Sequence, residues 1–327
     1  MIIQKGKNRI ISILISLILC GCAESRLPAP ADFYCLTAQK NDGELIPLDI
    51  HPRNIYGMGL TYEMHFKETG SKFNPAQAPP VFKKELIALN ISGELVTVPT
   101  RQALLACAEN IEPGLKVKLD KKFKYLPPLL DYEGELAFVL LEDVNWQNID
   151  KPDYAPKLGY FLANDISVRT LAVLGEGKTN KYDYWGASKS FPGFLPTGHK
   201  MWIPNIHMPG SILNIVITTE VNGRVRQKQS TSNMIYTPRD MLRFIYQRYP
   251  ANLPQKGDIV LTGTPGGVAM QIPAWKVGLA DLLNLGRFTR LKSLIDSSKS
   301  NKRFLKSGDM VKVSGEILGE IETRIAE

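Results

Sequence analysis

The stretch Asp131-Tyr132-Glu133-Gly134-Glu135-Leu136-Ala137-Phe138-Val139-Leu140-Leu141 decides how the chain is read. Its second half, 136–141, is a continuous apolar run of strand length, as in a β-strand buried on both faces. Its first half puts acids where that strand begins. Residues i and i+2 of a strand project from one face, so Glu133 and Glu135 point together beside an apolar core. Two carboxylates so placed repel: one takes up a proton, or both hold a cation. An all-oxygen site of this kind suits Mg²⁺, Mn²⁺ or Ca²⁺ far better than zinc. On spacing alone a solvated Glu-x-Glu is the commoner arrangement, because exposed acids are common.

Outward from this strand the chain reads as mostly β. Residues 212–221 are rich in β-branched residues and partly alternating, and Asn222-Gly223 follows, a strong hairpin signal. Residues 259–262 and 310–315 form strands launched from Gly257-Asp258 and Gly308-Asp309. Helices are fewer. Thr237-Pro238-Arg239-Asp240 combines an N-cap, a proline at N1 and an acid at N3, with Met241, Leu242, Phe244, Ile245 and Tyr249 as the apolar stripe behind it. Residues 101–109 are a second helix. The expected fold is one α+β domain, mostly antiparallel strands.

At 327 residues the chain has room for a sizeable core, and its apolar and charged fractions are those of a globular protein. The formal charge of +8 is local: Lys5, Lys7 and Arg9 supply three, and residues 276–303 hold seven basic residues against Asp281 and Asp296. No basic patch is interleaved with aromatics in the way single-strand binding would need, which argues against nucleic acid as a partner. The basic stretch reads as an amphipathic insertion with Leu279, Leu282, Leu283, Leu291, Leu294 and Ile295 on its apolar side. Packing over the domain is its plain account, and contact with anionic lipid its sharper one.

The N-terminus reads as an address. A positive region precedes an apolar run over 10–19, too short for a comfortable membrane span. Leu19-Cys20-Gly21-Cys22 then resembles a bacterial lipobox, in which the thiol of Cys22 is acylated. On that resemblance residues 1–21 are a signal peptide, residues 22–49 a tether and N-terminal extension, and the protein is exported and held at a membrane through Cys22. Ala23 points to the outer membrane where the host has one. Cys35 and Cys107 then lie in a disulfide-permissive compartment, as a pair or as two free thiols.

Other residues stand in suggestive places. Asp165 lies in Ala163-Asn164-Asp165-Ile166-Ser167-Val168-Arg169, where an Asx turn is the plain reading. Lys189 is a lone lysine among small and aromatic residues; a snorkelling surface lysine would look the same. His65 and Glu68, at i and i+3, share a face if 61–70 is helical, and make a pair able to activate water. Gly-x-Ser-x-Gly, Walker, Gly-x-Gly-x-x-Gly and HExxH patterns are missing.

Taken in order along the chain, these segments resemble the fumarylacetoacetate hydrolase family. The resemblance rests on residues 57–70 (GMGLTYEMHFKETG), 131–139 (DYEGELAFV), 163–169 (ANDISVR), 186–193 (GASKSFPG), 221–227 (VNGRVRQ) and 261–268 (LTGTPGGV). It implies a mixed β-sandwich roll over residues 50–327 with the site at the mouth of the roll, while the basic insertion at 270–303 is far longer than the family's usual link. It implies that Glu133, Glu135 and Asp165 hold Mg²⁺ or Mn²⁺, with Ca²⁺ behind them. It further implies that His65 and Glu68 activate water, that Lys189 polarises the substrate oxyanion, and that Tyr62, Arg169, Gln227 and Thr264 bind substrate. A homodimer is implied as well.

The activity so implied is hydrolysis of a C–C bond in a 2,4-dioxo acid, where the central need is positive charge beside an enolate oxygen. Isomerisation, decarboxylation or hydration of a related 2-oxo or enol acid would use the same site. A third reading is a lipid-anchored protein that binds a small acid without turnover. It is motivated by Thr170 and Ala172, where the family commonly has RDLQ, and by Asn233, where it has TSDM.

Overall fold

In the computed structural model, which describes residues 36–38, 42–62, 78–91, 94–272, 278, 280 and 282–327, Gly134–Leu140 is a strand whose seven residues are all buried. It lies inside a nine-stranded sheet. The order across it is Gly43–Pro47, Lys200–Pro204, Leu158–Asn164, Gly134–Leu140, Ile259–Leu261, Ile55–Met58 and Val81–Lys84, with Leu195–Thr197 and Leu89–Ile91 branching from it. Most pairings are antiparallel, but Ile259–Leu261 runs parallel to Ile55–Met58. The sheet is therefore mixed, and its path is open rather than closed into a barrel.

A second sheet of five strands, in the order Arg224–Ser230, Val216–Val221, Met310–Gly315, Gly319–Ala326 and Leu95–Thr97, packs against the central strands of the first. Gly134 shows how closely they approach. A Cβ there would sit 2.2 Å from Thr219 Oγ1 and 3.1 Å from Val313 Cγ1. A glycine between the two glutamates is what the sheet-to-sheet contact demands, and period-2 alternation then turns Glu133 and Glu135 away from that contact. The mostly-β α+β sandwich read from the sequence is the observed architecture.

The local expectations hold with small shifts. Thr237 caps Pro238–Arg248 in a reciprocal capping box with Asp240, and the other helix extends to Arg101–Ile111. Asn222-Gly223 joins Val216–Val221 to Arg224–Ser230. Residues 212–221 are not one strand, however. Ser211–Leu213 and Val216–Val221 are separate, because Thr231 takes the Ile215 N–H and the Leu213 carbonyl for its side chain. Gly43–Pro47, within the 22–49 extension, pairs with Lys200–Pro204.

In the basic insertion, Arg287–Ser298 is a helix with Leu291, Leu294 and Ile295 buried, packed on the helix Arg169–Leu174. Leu282 and Leu283 depart from the expected apolar side: they precede this helix and are 82% and 58% exposed. Cys22, Cys35, His65, Glu68 and Leu279 lie outside the described residues. Among the described residues Cys107 has no disulfide partner, and burial pushes its thiol pKa up to about 11.

Candidate active site

The ends of the two central strands build the site. Gly134 pairs with Asn164 in the antiparallel register, so the residues just beyond the ladder, Glu133 and Asp165, face one another. The Asp165 N–H donates to the Glu133 carbonyl at 2.8 Å, and the Glu133 N–H donates to Asn164 Oδ1 at 3.1 Å. With Glu135 they form a trio whose carboxylate oxygens lie within 4.8 Å of one another. All three are buried, Glu133 at 6% exposed and Glu135 at 1%. A solvated Glu-x-Glu is excluded.

Cations reach the trio from other elements. Lys189 follows the helix Lys181–Ser188, which packs against the strand Val81–Lys84 so closely that a Cβ on Gly186 would lie 2.3 Å from the Lys83 carbonyl. The Lys189 ammonium thereby donates to Glu133 Oε2 at 2.6 Å, Asp165 Oδ2 at 2.6 Å and Ser167 Oγ at 2.8 Å. It also lies 5.3 Å from the centre of the Phe82 ring. Lys84 donates to Asp165 Oδ1 at 2.5 Å and to the Phe194 carbonyl at 3.1 Å. Arg169 donates from Nε to Asp131 Oδ2 at 2.7 Å and from its terminal nitrogen to Glu133 Oε1. Asp131 is fixed in turn by the backbone N–H groups of Tyr132, Ala269 and Met270.

Four buried acids, Asp131, Glu133, Glu135 and Asp165, therefore meet three buried bases, Lys84, Arg169 and Lys189. Among the described residues one negative charge is left over. The excess falls on Glu135, whose pKa burial raises well above its ordinary value, with Asp165 and Glu133 adding repulsion. Burial acts on the lysines in the opposite sense. It lowers Lys84 despite Asp165, whereas for Lys189 the attraction of Asp165 and Glu133 outweighs burial and raises its pKa.

The trio fits a hard divalent cation. The donors are all oxygens, they converge, and the ammonium of Lys189 already bridges two of them as a positive charge would. A dication would also relieve the one uncompensated negative charge. Buried polar atoms beside the site without hydrogen-bond partners among the described residues include Asn164 Nδ2 and the hydroxyl of Thr61, next to the turn whose Gly263 N–H holds Glu135 Oε2 at 2.8 Å.

Gln227 and Thr264, expected to bind substrate, are buried and bonded to each other at 2.7 Å. Gln227 Oε1 also accepts the Gly134 N–H at 3.0 Å, so the pair braces the glutamate strand. Tyr62 is buried and bridges to Met234. Arg169, also expected at the substrate, has its guanidinium engaged by two carboxylates. Ala172 is buried on the Arg169–Leu174 helix, and Asn233 is exposed at the end of the turn Thr231–Asn233, whose Thr231 is buried. Sequence reading missed Lys84, although strand alternation gives it the same face as Phe82.

An uncharacterized protein of Archaeoglobus fulgidus is 32% identical over 200 residues, 59% of this chain and 72% of the relative. The oxaloacetate tautomerase YisK of Bacillus subtilis is 29% identical over 227 residues, 68% of this chain and 62% of its own. A crystal structure of fumarylpyruvate hydrolase from Pseudomonas aeruginosa, in complex with Mn²⁺ and pyruvate, aligns with a TM-score of 0.53 over 85% of this chain and 91% of that one. At 18% identity that likeness speaks for the fold alone. Residues 54–326 match the fumarylacetoacetate hydrolase C-terminal family, and with that match spanning most of its length the chain belongs to the fumarylacetoacetate hydrolase family.

Proposed function

We propose that the protein is a divalent-metal-dependent enzyme that cleaves a C–C bond in a small 2,4-dioxo acid by hydrolysis, through the enolate of a 2-oxo acid. The observation that carries this reading is the convergence of Glu133, Glu135 and Asp165 around a point already shared by the Lys189 ammonium. Mg²⁺ or Mn²⁺ held by the three carboxylates would supply positive charge facing the developing enolate oxygen.

The chain's own residues divide the remaining work. Lys189 presents a second positive charge to that oxygen from a site where water is excluded, so its effect is little screened. Arg169 and Lys84 hold Glu133 and Asp165 in register. Gln227 and Thr264 fix the Gly134 backbone between the two glutamates. The family resemblance gives His65 and Glu68, which lie outside the described residues, the part of taking a proton from the water that attacks the distal carbonyl. The bond between C3 and C4 then breaks, its electron pair passes into the enolate, and a proton at C3 releases the 2-oxo acid.

A second reading is favoured by the similarity to the B. subtilis tautomerase: proton transfer at C3 of an oxaloacetate-like acid, with no water added. Both use the same charge around the enolate. Export and anchoring through an acylated Cys22, and pairing as a homodimer, complete the proposal. The lipobox-like Leu19-Cys20-Gly21-Cys22 supports the first and the family resemblance the second.

The test is turnover by purified protein with Mg²⁺ or Mn²⁺. Acylpyruvates should lose their 2,4-dioxo absorbance and yield two acids by NMR. Enol-to-keto conversion of oxaloacetate without acylpyruvate cleavage would select the second reading. No turnover of either substrate, or undiminished turnover in Glu135→Ala, would end both.

A further inference from the structure

The net positive charge of the chain is concentrated on two neighbouring segments. Residues 115–125 and 282–303 together carry eleven Lys and Arg against Asp120 and Asp296 alone, more than the whole chain's formal excess of +8. The remainder is on balance slightly acidic. The helix Leu115–Lys122 and the helix Arg287–Ser298 meet end to start: Lys122 Nζ lies 5.3 Å from the centre of the Phe288 ring, and Phe123 and Phe288 have centroids 6.4 Å apart.

Each helix buries one side, Leu115 and Leu119 on the first and Leu291, Leu294 and Ile295 on the second. Between and around the lysines, large apolar side chains stand in solvent: Val117 at 54% exposed, Tyr125 at 66%, Leu282 at 82% and Leu283 at 58%.

We propose that this face docks the domain onto an anionic bilayer. Cations alone would serve any polyanion, but exposed Leu, Val and Tyr side chains set among lysines match the boundary between head groups and acyl chains. A nucleic-acid backbone makes no use of them. Each lysine near an anionic leaflet adds to the attraction, and the apolar side chains add an anchor that salt does not screen. An acylated Cys22 would keep the domain within reach of such a surface; the recognition itself lies in the folded domain and stands without the enzymatic reading.

Full-length protein is mixed with vesicles of phosphatidylcholine alone and with vesicles that also contain phosphatidylglycerol, and amide hydrogen exchange is followed. Deuterium uptake at 115–125 and 282–299 should fall only with phosphatidylglycerol present. High salt should weaken the protection. The variant Lys116→Glu/Lys121→Glu/Lys124→Glu should lose it while keeping wild-type turnover. Should that variant fold poorly, the wild-type salt and lipid dependence still decides. Equal uptake on both vesicle types overturns the proposal, as does protection by duplex DNA and not by phosphatidylglycerol.

Discussion

The helix Lys181–Ser188 touches two ionic clusters of opposite design. Past its C-terminal end, Lys189 enters the buried set in which four acids outnumber three bases. From its middle, the Tyr184 hydroxyl donates to Glu112 at 2.6 Å, where a single acid gathers cations. Arg287 grips Glu112 with two bonds of 2.7 and 2.6 Å, and Lys178 approaches to 3.0 Å. The hydrogen bonds from Arg287 hold the Glu112 pKa well below its ordinary range, whereas burial and two like-charged neighbours push Glu135 the other way. The Glu112 cluster brings unlike charges together at a place only partly open to water and clamps the insertion helix to the body. The Glu135 cluster keeps a like-charge conflict in a dry interior. A conflict of that kind weakens a fold, and a cation held by the trio would relieve it.

The sharpest way to break this contrast is Asp165→Asn. Asp165 is the carboxylate shared by Lys84 and Lys189, and removing one partner of a buried pair strands the other's charge. The expected cost is about 3–5 kcal/mol of folding stability, measured by denaturant unfolding without added metal. A cost of less than about 1 kcal/mol would mean the lysines need no ionised partner there, and the charge inventory of the site would be wrong.

Glu135→Gln should behave in the opposite manner. Burial already favours the uncharged side chain, so the metal-free protein should change by less than about 1 kcal/mol. What should vanish is the response to Mn²⁺. At a free concentration near 100 times its Kd, the ion stabilises the wild type by about 2.7 kcal/mol, and the variant should show none of it in thermal melts. A wild-type melt indifferent to Mn²⁺ and Mg²⁺ would remove the reason for the conflict.

What the sequence disclosed follows the same division. Glu133, Glu135, Asp165 and Lys189 were legible because short motifs set them at strand ends and beside a helix, so local period and resemblance sufficed. Lys84 was not. Its carboxylate lies 81 residues away, and a lysine following Lys83 at a strand end has the look of a solvated side chain. Asp131 was legible as part of the motif, yet its partners are the Ala269 and Met270 N–H groups across the fold, which no local pattern encodes. Leu282 and Leu283 were misplaced because an apolar residue in an amphipathic pattern is read as inward, and the outward pair became visible only when the helix was seen to begin at Arg287.

Arg287→Ala, at the other cluster, should have the smallest effect and sharpens the comparison through its pH dependence. Glu112 and Arg287 are partly accessible to water, which trims the value of a two-bond charge pair to about 1–2 kcal/mol. A carboxylate whose pKa is depressed on folding stabilises the native state at pH values above its unfolded pKa, here near 4.5, and that contribution drains away as pH falls through the folded value. Wild type should therefore lose stability relative to Arg287→Ala on going from neutral pH to below 4.5, and the two curves should converge in acid. The buried cluster predicts no such convergence for this variant, because none of its acids touches Arg287. Parallel curves from neutral pH down to pH 3 would show that the guanidinium holds the insertion helix by packing on Phe288 rather than by charge, and the contrast between the clusters would then rest on burial alone.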